Sequence, residues 1–269
     1  METTYLLVGG DRRQFWLSRL LVGEGRVCTL GVPGLEDSPP EAPADVLILP
    51  TPCLDGAGLL RRASGEGLDP ARLSGLCDAR TRVYGGALPA DLRHRLPPCG
   101  RITDLLADPA VAAVNGRLTA EAAAELAEER LEGSLFGLPC LVLGYGRVGK
   151  PLAALLNALH ARVTVAARRP GARAEAAQLG CAVRDFPDAP EPFAVVFNTV
   201  PAPALSPSAL RALGPDCLWV ELASAPGGLP AGSRPVFSVL PAGSLPGRRL
   251  PRSAAAALAD GILRREAGG

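Results

Sequence analysis

Short apolar runs, each followed by glycine or proline, recur along the first half of the chain. They cover residues 5–8, 26–30, 46–49 and 81–84. Residues 14–23 carry apolar side chains at helical spacing and end at a glycine. Strands that alternate with helices predict a parallel sheet with crossover helices. Because functional loops lie at the carboxyl ends of such strands, we expect ligand contacts near residues 9–11, 50–52 and 84–86.

The second half repeats this alternation more sharply. Its predicted strands cover residues 140–143, 162–166, 194–198, 218–222 and 236–239, and its predicted helices cover 148–159, 172–179 and 206–213. Between the halves, Thr119 is a good N-cap, Glu121 suits a first helical turn, and Gly133 ends the pattern. We therefore predict a connecting helix over residues 117–132.

Composition narrows the classes of function. With 28 basic and 27 acidic residues the formal net charge is +1, so there is no electrostatic reason to expect a nucleic acid or a membrane as partner. The N-terminal apolar run is far shorter than a signal peptide or a membrane span. Seven widely spread cysteines and two histidines predict reduced thiols and no metal site. We expect a cytoplasmic protein.

One motif carries clear chemistry. The predicted strand 140–143 is followed by Gly144, Tyr145, Gly146, Arg147, Val148 and Gly149, which is G-x-G-x-x-G at a strand-to-helix turn. In this context the first glycine allows the turn, the second lets a pyrophosphate approach the backbone, and the third allows close helix packing. The pattern predicts a Rossmann dinucleotide-binding domain, and a merely tight turn is the structural alternative.

The next strand indicates which dinucleotide. Sites that prefer NAD place an acidic residue about 20 positions beyond the glycines, on the ribose 2′-hydroxyl. Here Arg168 and Arg169 follow the strand and no acid is present. Guanidinium groups pair with a 2′-phosphate, so we predict NADP as cofactor, with NAD as the alternative.

Two further strand ends lie at the same rim. Asn198, Thr199 and Val200 close the predicted strand 194–198, in the loop that runs beside the nicotinamide ribose in Rossmann enzymes. Ser224 lies in a glycine-containing loop after the strand 218–222 and is a candidate for substrate binding. A turn without any ligand is the alternative in both places.

Together these features predict a two-domain, dehydrogenase-like α/β architecture. Residues 1–116 form an N-terminal substrate-side domain with a parallel sheet, 117–132 the connecting helix, and 133–250 the Rossmann domain. Residues 251–269 form an alanine-rich helix that packs back toward the N-terminal domain. In this arrangement Asp11, Arg12, Thr51 and Gly85 lie at strand ends of the first domain.

The chain also resembles, over most of its length, the family formed by the A subunit of dipicolinate synthase. Residues 9–14 (G-G-D-R-R-Q), 143–149 (L-G-Y-G-R-V-G) and 222–228 (L-A-S-A-P-G-G) are similar to motifs of that family. Asn115, Thr119 and Glu121 resemble its connector. Residues 245–247 (L-P-G) and 251–254 (P-R-S-A) are similar to its later motifs, although Arg252 and Ser253 replace lysine and threonine.

The resemblance implies an enzyme of spore formation that oxidises a dihydrodipicolinate-type dicarboxylate to dipicolinate with NADP. It also implies a second, flavoprotein-like subunit, and a homo-oligomer is compatible with it. A dianionic substrate needs cationic and hydrogen-bonding partners, for which Arg12 and Arg252 offer guanidinium groups and Ser253 a hydroxyl. The catalytic residue stays unknown.

Two other functions are compatible with the residues. A 2-hydroxyacid-dehydrogenase-like enzyme shares the architecture but needs a histidine general base, and no histidine follows His160. A non-catalytic NADP-binding subunit, regulatory or stabilising, needs no such base.

Overall fold

The computed structural model describes residues 2–63, 65–186 and 192–268. The chain divides into two compact units. Unit 1 comprises Met1–Asn115 with Pro246–Gly269, and unit 2 comprises Gly116–Leu245. Each unit contains a parallel sheet flanked by helices, which confirms the predicted fold class. Residues 246–250, which the sequence pattern placed with the second half, lie in unit 1.

Unit 1 is built on five parallel strands. These are β1 (Thr4–Val8), β2 (Arg26–Leu30), β3 (Val46–Ile48), β4 (Arg82–Gly85) and β5 (Ile102–Asp104), in the order β2-β1-β3-β4-β5. Helix α1 (Arg12–Leu21) follows β1, and the short α2 (Leu92–Arg95) follows β4. The sheet order reverses direction between β1 and β3, which is the position where ligands bind in doubly wound sheets.

Helix α3 (Pro109–Leu131) begins earlier than its sequence suggests. The predicted N-cap at Thr119 is wrong, because Thr119 lies inside the helix. Asp108 fills that role, since its Oδ1 accepts from the backbone N–H groups of Ala110 (2.8 Å) and Val111 (3.3 Å). Pro109 at the first helical position suits the start, where no N–H donor is needed.

Unit 2 contains six parallel strands. They are β6 (Pro139–Leu143), β7 (Arg162–Ala166), β8 (Ala182–Arg184), β9 (Val195–Asn198), β10 (Leu218–Glu221) and β11 (Ser238–Pro241), in the order β11-β10-β9-β6-β7-β8. Helices α4 (Gly149–Ala158), α5 (Pro170–Gln178) and α6 (Pro207–Ala212) connect them. Counted within the unit, this is the strand order 3-2-1-4-5-6 of a Rossmann fold.

After α7 (Leu245–Arg249), which begins at the last residue of unit 2, the chain ends in unit 1 with α8 (Pro251–Ala267). On one face of the first sheet, Leu17 and Leu21 of α1 pack with Leu258 and Ile262 of α8 around Leu7 of β1. Neighbouring β1 residues alternate, so Leu6 and Val8 face a second core on the opposite side. In the described part of the chain, no helix combines the length and apolar character needed to cross a membrane.

Candidate functional site

The sheet of unit 2 reverses direction between β6 and β9. Leu143 at the end of β6 pairs with Ala166 of β7 on one side and Asn198 of β9 on the other. The loops that leave these strands therefore meet at the carboxyl edge. Thr199 holds the loop after β9 against the end of β6, because its Oγ1 donates to the Leu143 carbonyl oxygen (2.7 Å).

The three glycines of the motif have different surroundings. Gly144 has φ +93°, and a Cβ there would overlap Thr199 Oγ1. A Cβ on Gly149 would overlap the carbonyl oxygen of Gly144, so this glycine allows the start of α4 to pack on the turn. A Cβ on Gly146 would meet no atom of the described residues within 4 Å. The space over Gly146 is therefore open, which fits a pyrophosphate above the helix N-terminus.

Between the glycines, Tyr145 is buried, Arg147 is exposed and Val148 is half-buried. Burial, followed by the nearby Glu175 carboxylate, raises the pKa of Tyr145. Lys150 Nζ lies 5.5 Å from the Tyr145 ring centroid and pairs with Glu175 at 2.7 Å. The Lys150–Glu175 pair thus joins α4 to α5 beside the Tyr145 ring, and burial of that ring leaves mainly the backbone at this position to a cofactor.

A fourth glycine also shapes the loop. A Cβ on Gly116, in α3, would overlap the carbonyl oxygen of Arg147. Gly116 therefore lets the glycine-rich turn lie directly against α3. Gly116 could not be selected from the sequence, because a lone glycine in a helical pattern gives no indication of what approaches it.

The loop after β7 presents two arginines. Arg168 and Arg169 are exposed, and neither forms an ion pair with any residue in the described ranges. Arg169 occupies the N-cap position of α5. Arg173 fixes the loop from behind, since its Nη1 donates to the carbonyl oxygens of Ala167 (2.6 Å) and Arg168 (2.9 Å). The loop thus combines two available guanidinium groups with a helix N-terminus, which also favours an anion.

Asn198 and Glu221 form a network at the ends of β9 and β10. Asn198 is fully buried. Its Nδ2 donates to Glu221 Oε1 (2.6 Å) and to the Val200 carbonyl oxygen (2.9 Å), and its Oδ1 accepts from the Val200 N–H (3.1 Å). Glu221 Oε2 accepts from Trp219 Nε1 (3.1 Å) and from the Gly228 N–H (3.0 Å). These hydrogen bonds occupy the polar atoms of the Asn198 side chain. Asn198 therefore supports the loops at the carboxyl edge of the sheet from the buried side.

The loop after β10 depends on the same network. Ser224 lies in this loop, and its side chain is exposed. Gly228 lies so close to Asn198 that a Cβ would overlap the amide nitrogen. Glu221, which the sequence analysis did not select, is the group that fixes this loop. An acidic residue at a strand end with two glycines shortly after it was the available signal.

In unit 1, the direction reversal between β1 and β3 holds a buried ion pair. Arg13 donates from Nε to Asp11 Oδ1 (2.9 Å) and from Nη2 to Asp11 Oδ2 (2.6 Å), and Nη2 also donates to the Thr51 carbonyl oxygen. Only 6% of the Arg13 side chain is exposed, against 26% for Asp11. Gly247 packs directly on this pair, since a Cβ there would overlap both side chains. The structure thus brings Asp11 and Thr51 together through Arg13, a residue not selected from the sequence.

The other substrate candidates of unit 1 have different surroundings. Arg12 begins α1 and is exposed, as are Arg252 and Ser253 at the start of α8. The Arg252 guanidinium lies over the Trp16 ring, 5.4 Å from its centroid. Gly85 is buried, and Leu88 and Leu49 occupy the space in which its Cβ would lie. Leu88 and Leu49 therefore leave no room for a side chain at this position, which requires glycine.

The described residues offer few groups for acid–base or metal chemistry. His94 and His160 are both exposed, and His160 follows the C-terminal end of α4. Tyr84 is buried and donates to Glu266 Oε1 (2.7 Å), and burial together with that hydrogen bond raises the pKa of Tyr84 to about 12. The seven cysteines form no disulfide. Within residues 2–63, 65–186 and 192–268, no cluster of histidine, cysteine and acidic side chains is suited to a metal ion.

The fold and the glycine-rich turn together define a two-domain α/β protein with Rossmann-like dehydrogenase architecture. Comparison with known proteins then gives a particular likeness. The chain is 25% identical over 274 residues to the A subunit of dipicolinate synthase from Bacillus subtilis (strain 168), and the match covers 94% of this chain and 92% of that protein. No family model matches the chain. The resemblance seen in the sequence motifs is therefore confirmed at full length.

Solved structures agree with this likeness. The crystal structure of the dipicolinate synthase A chain from Bacillus subtilis has a TM-score of 0.79 at 25% identity, over 99% of this chain and 97% of that one. The corresponding protein from Bacillus halodurans has a TM-score of 0.82 at 25% identity, and the match covers 97% of both chains. A transhydrogenase from Sinorhizobium meliloti (TM-score 0.63, 17% identity, 90% of this chain and 76% of that one) shares the fold.

Proposed function

We propose that this chain is an NADP-dependent oxidoreductase that oxidises a dihydrodipicolinate-type dicarboxylate to dipicolinate. The observation that carries the proposal is the open space over Gly146, at the direction reversal of a sheet with Rossmann strand order. The full-length likeness to a dipicolinate synthase subunit supports the substrate. When bound, NADP⁺ would accept a hydride from the dihydropyridine ring, which becomes aromatic as a proton leaves.

The choice of NADP over NAD rests on the loop after β7. A 2′-phosphate needs cationic partners, and Arg168 and Arg169 are exposed without a carboxylate partner in the described chain. An acidic residue that would repel the phosphate is absent between the end of β7 and the start of α5. Because Arg173 fixes the loop backbone, replacing the two exposed arginines should leave the fold intact.

We expect Arg168→Ala/Arg169→Ala to weaken NADPH binding by about 1–3 kcal/mol, through the loss of charge-assisted hydrogen bonds. NADH binding should change little, because NADH has no 2′-phosphate. Isothermal titration calorimetry with both nucleotides measures the difference. Arg162→Ala is a matched control, since this arginine is exposed and donates to the Gly137 carbonyl at the opposite end of β7. If the double variant lost equal affinity for NADPH and NADH, Arg168 and Arg169 would not be the residues that recognise the 2′-phosphate.

For the dicarboxylate we propose contacts with Arg12, Arg252 and Ser253. These three side chains of unit 1 are exposed, and so is Ser224 of unit 2, which stays a separate candidate for substrate binding. Arg13 is the neighbouring arginine, but its guanidinium is taken up by Asp11 and Thr51. Arg12 is therefore the arginine of the α1 N-terminus that is available to a carboxylate. Asp11 and Thr51 support this position and need not touch the substrate themselves.

We expect Arg12→Ala to raise the KM for the dicarboxylate roughly tenfold, because one charge-assisted hydrogen bond contributes about 1.5 kcal/mol. NADPH affinity should stay within experimental error. Steady-state kinetics with a dihydrodipicolinate-type substrate, beside a calorimetric NADPH titration, separates the two effects. An unchanged KM for the dicarboxylate would show that Arg12 is an exposed residue with no role in substrate binding.

One observation favours a second candidate, a non-catalytic NADP-binding subunit that stabilises or regulates a partner. Among the described residues at the carboxyl edges of the two sheets there is no histidine and no reactive thiol, so no side chain is assigned as the proton acceptor. The related protein is by name one subunit of a synthase, and we propose a flavoprotein-like second subunit in the cytoplasm for this chain too. A turnover assay with and without that subunit distinguishes the candidates. Turnover by this chain alone that Gly146→Val removes would identify an enzyme, and turnover that appears only with the second subunit and survives Gly146→Val would identify a non-catalytic role.

A further inference from the structure

An apolar groove lies on unit 2, between α6 and residues 229–237. It encloses about 230 Å³. Leu210, Leu229, Val236 and Phe237 line it, together with the prolines Pro207, Pro230 and Pro235. Val236 is 69% exposed, so part of the lining is in contact with water. Concave apolar surface of this kind marks an interaction site more often than scattered exposed side chains do.

The rim of the groove is cationic. Arg211 and Arg234 both line it and are both exposed. Neither forms an ion pair with any residue in the described ranges, and no acidic residue belongs to the described lining. The groove therefore offers apolar surface beside two guanidinium groups that are available to a carboxylate.

We propose that this groove binds a peptide segment of a partner protein in which a large apolar side chain lies next to a carboxylate. The apolar side chain fills the groove, as buried anchor residues do at protein interfaces, and the carboxylate pairs with Arg211 or Arg234. A nucleic acid fits this surface less well, because it needs more cations and exposed aromatic rings for stacking. The proposal goes beyond the oxidoreductase function and does not depend on it.

The floor of the groove contains a built-in reporter. The Phe237 ring stacks on Trp219, with centroids 5.9 Å apart and planes 17° apart. Trp219 Nε1 in turn donates to Glu221, the carboxylate that fixes the loop after β10. A segment that displaces Phe237 should change the magnetic environment of the Trp219 indole N–H. Trp16 lies in unit 1 and provides an internal reference.

The test is an NMR titration of the ¹⁵N-labelled full chain with the probe peptide acetyl-Ala-Pro-Leu-Phe. One form carries a free C-terminal carboxylate next to Phe, and the matched form ends in a carboxamide. We expect the free acid to shift the Trp219 indole signal and signals of residues 229–237, and to leave the Trp16 indole signal unchanged. The carboxamide should bind about tenfold more weakly, through loss of one charge-assisted hydrogen bond.

A pair of double variants assigns the effect to the groove. Arg211→Glu/Arg234→Glu should abolish the preference for the free acid. Arg72→Glu/Arg101→Glu, which reverses two exposed arginines of unit 1, should keep it. Equal binding of the two peptides to the unmodified chain would overturn the proposal, and so would an absence of shifts at residues 229–237. No NADP(H) is present in the titration, so its outcome is independent of the proposed function.

Discussion

Gly146→Val should abolish NADPH binding while leaving the protein folded. The Gly146 position faces open space, where a Cβ would meet no atom of the described chain within 4 Å. Two methyl groups there would instead occupy the space through which a pyrophosphate reaches the helix N-terminus. We expect the affinity to fall at least about a hundredfold, which corresponds to roughly 2.8 kcal/mol. Calorimetric titration measures the loss, and thermal unfolding checks the fold.

Gly149→Val is the informative contrast. A Cβ on Gly149 would overlap the carbonyl oxygen of Gly144, so this variant must move backbone before any ligand is added. Overpacking of this kind costs about 1–3 kcal/mol or more, and the melting temperature should fall. If Gly146→Val bound NADPH with unchanged affinity, the glycine-rich turn would not be a dinucleotide site.

Asp11→Ala should destabilise unit 1 strongly. The substitution leaves the Arg13 guanidinium, of which 6% is exposed, with the Thr51 carbonyl as its remaining partner in the described chain. Breaking a buried ion pair costs about 3–5 kcal/mol, and the partial exposure of Asp11 places our expectation near the lower end. Asp11 also caps α1 through the Arg13 N–H (2.9 Å). Urea denaturation with peptide-resolved hydrogen exchange locates the loss in unit 1.

Arg12→Ala is the matched control for stability, because it removes the adjacent arginine from the same helix end. Arg12 is exposed, so its removal should change the free energy of unfolding by less than about 0.5 kcal/mol. Asp11→Ala/Arg13→Met should recover part of the lost stability, since it removes the stranded charge together with its partner. A native-like stability for Asp11→Ala alone would contradict the structural role of the pair.

The sequence was sufficient for most of the fold, because parallel strands buried on both faces are continuous apolar runs. The predictions for β2 and β7 match the structure at both ends, and the other predicted strands differ by a residue or two at their ends. β5 and β8 were missed. Each has three residues, none of them fully buried, so neither produces an apolar run. The start of α3 was misplaced because Thr119 and Asp108 are both good N-cap residues.

The candidate site was only partly predictable. The glycine-rich turn was found because the role of each glycine follows from local geometry. Arg12 and Arg13 cannot be distinguished locally, since what separates them is the Thr51 carbonyl and Gly247 from distant parts of the chain. Glu221 and Gly116 act through contacts that only the folded chain creates. The sequence pattern did not reveal these residues, because the role of each depends on a neighbour that lies far away along the chain.

We propose that unit 2 binds NADP(H) through the glycine-rich turn and the two arginines after β7. The most direct measurement is a calorimetric titration of the unmodified chain with NADPH and, separately, with NADH. We expect one site per chain and at least about tenfold tighter binding of NADPH, equivalent to roughly 1.4 kcal/mol. If neither nucleotide bound, the glycine-rich turn would not be a dinucleotide site. If NADH bound as tightly as NADPH, the two arginines would not select the 2′-phosphate.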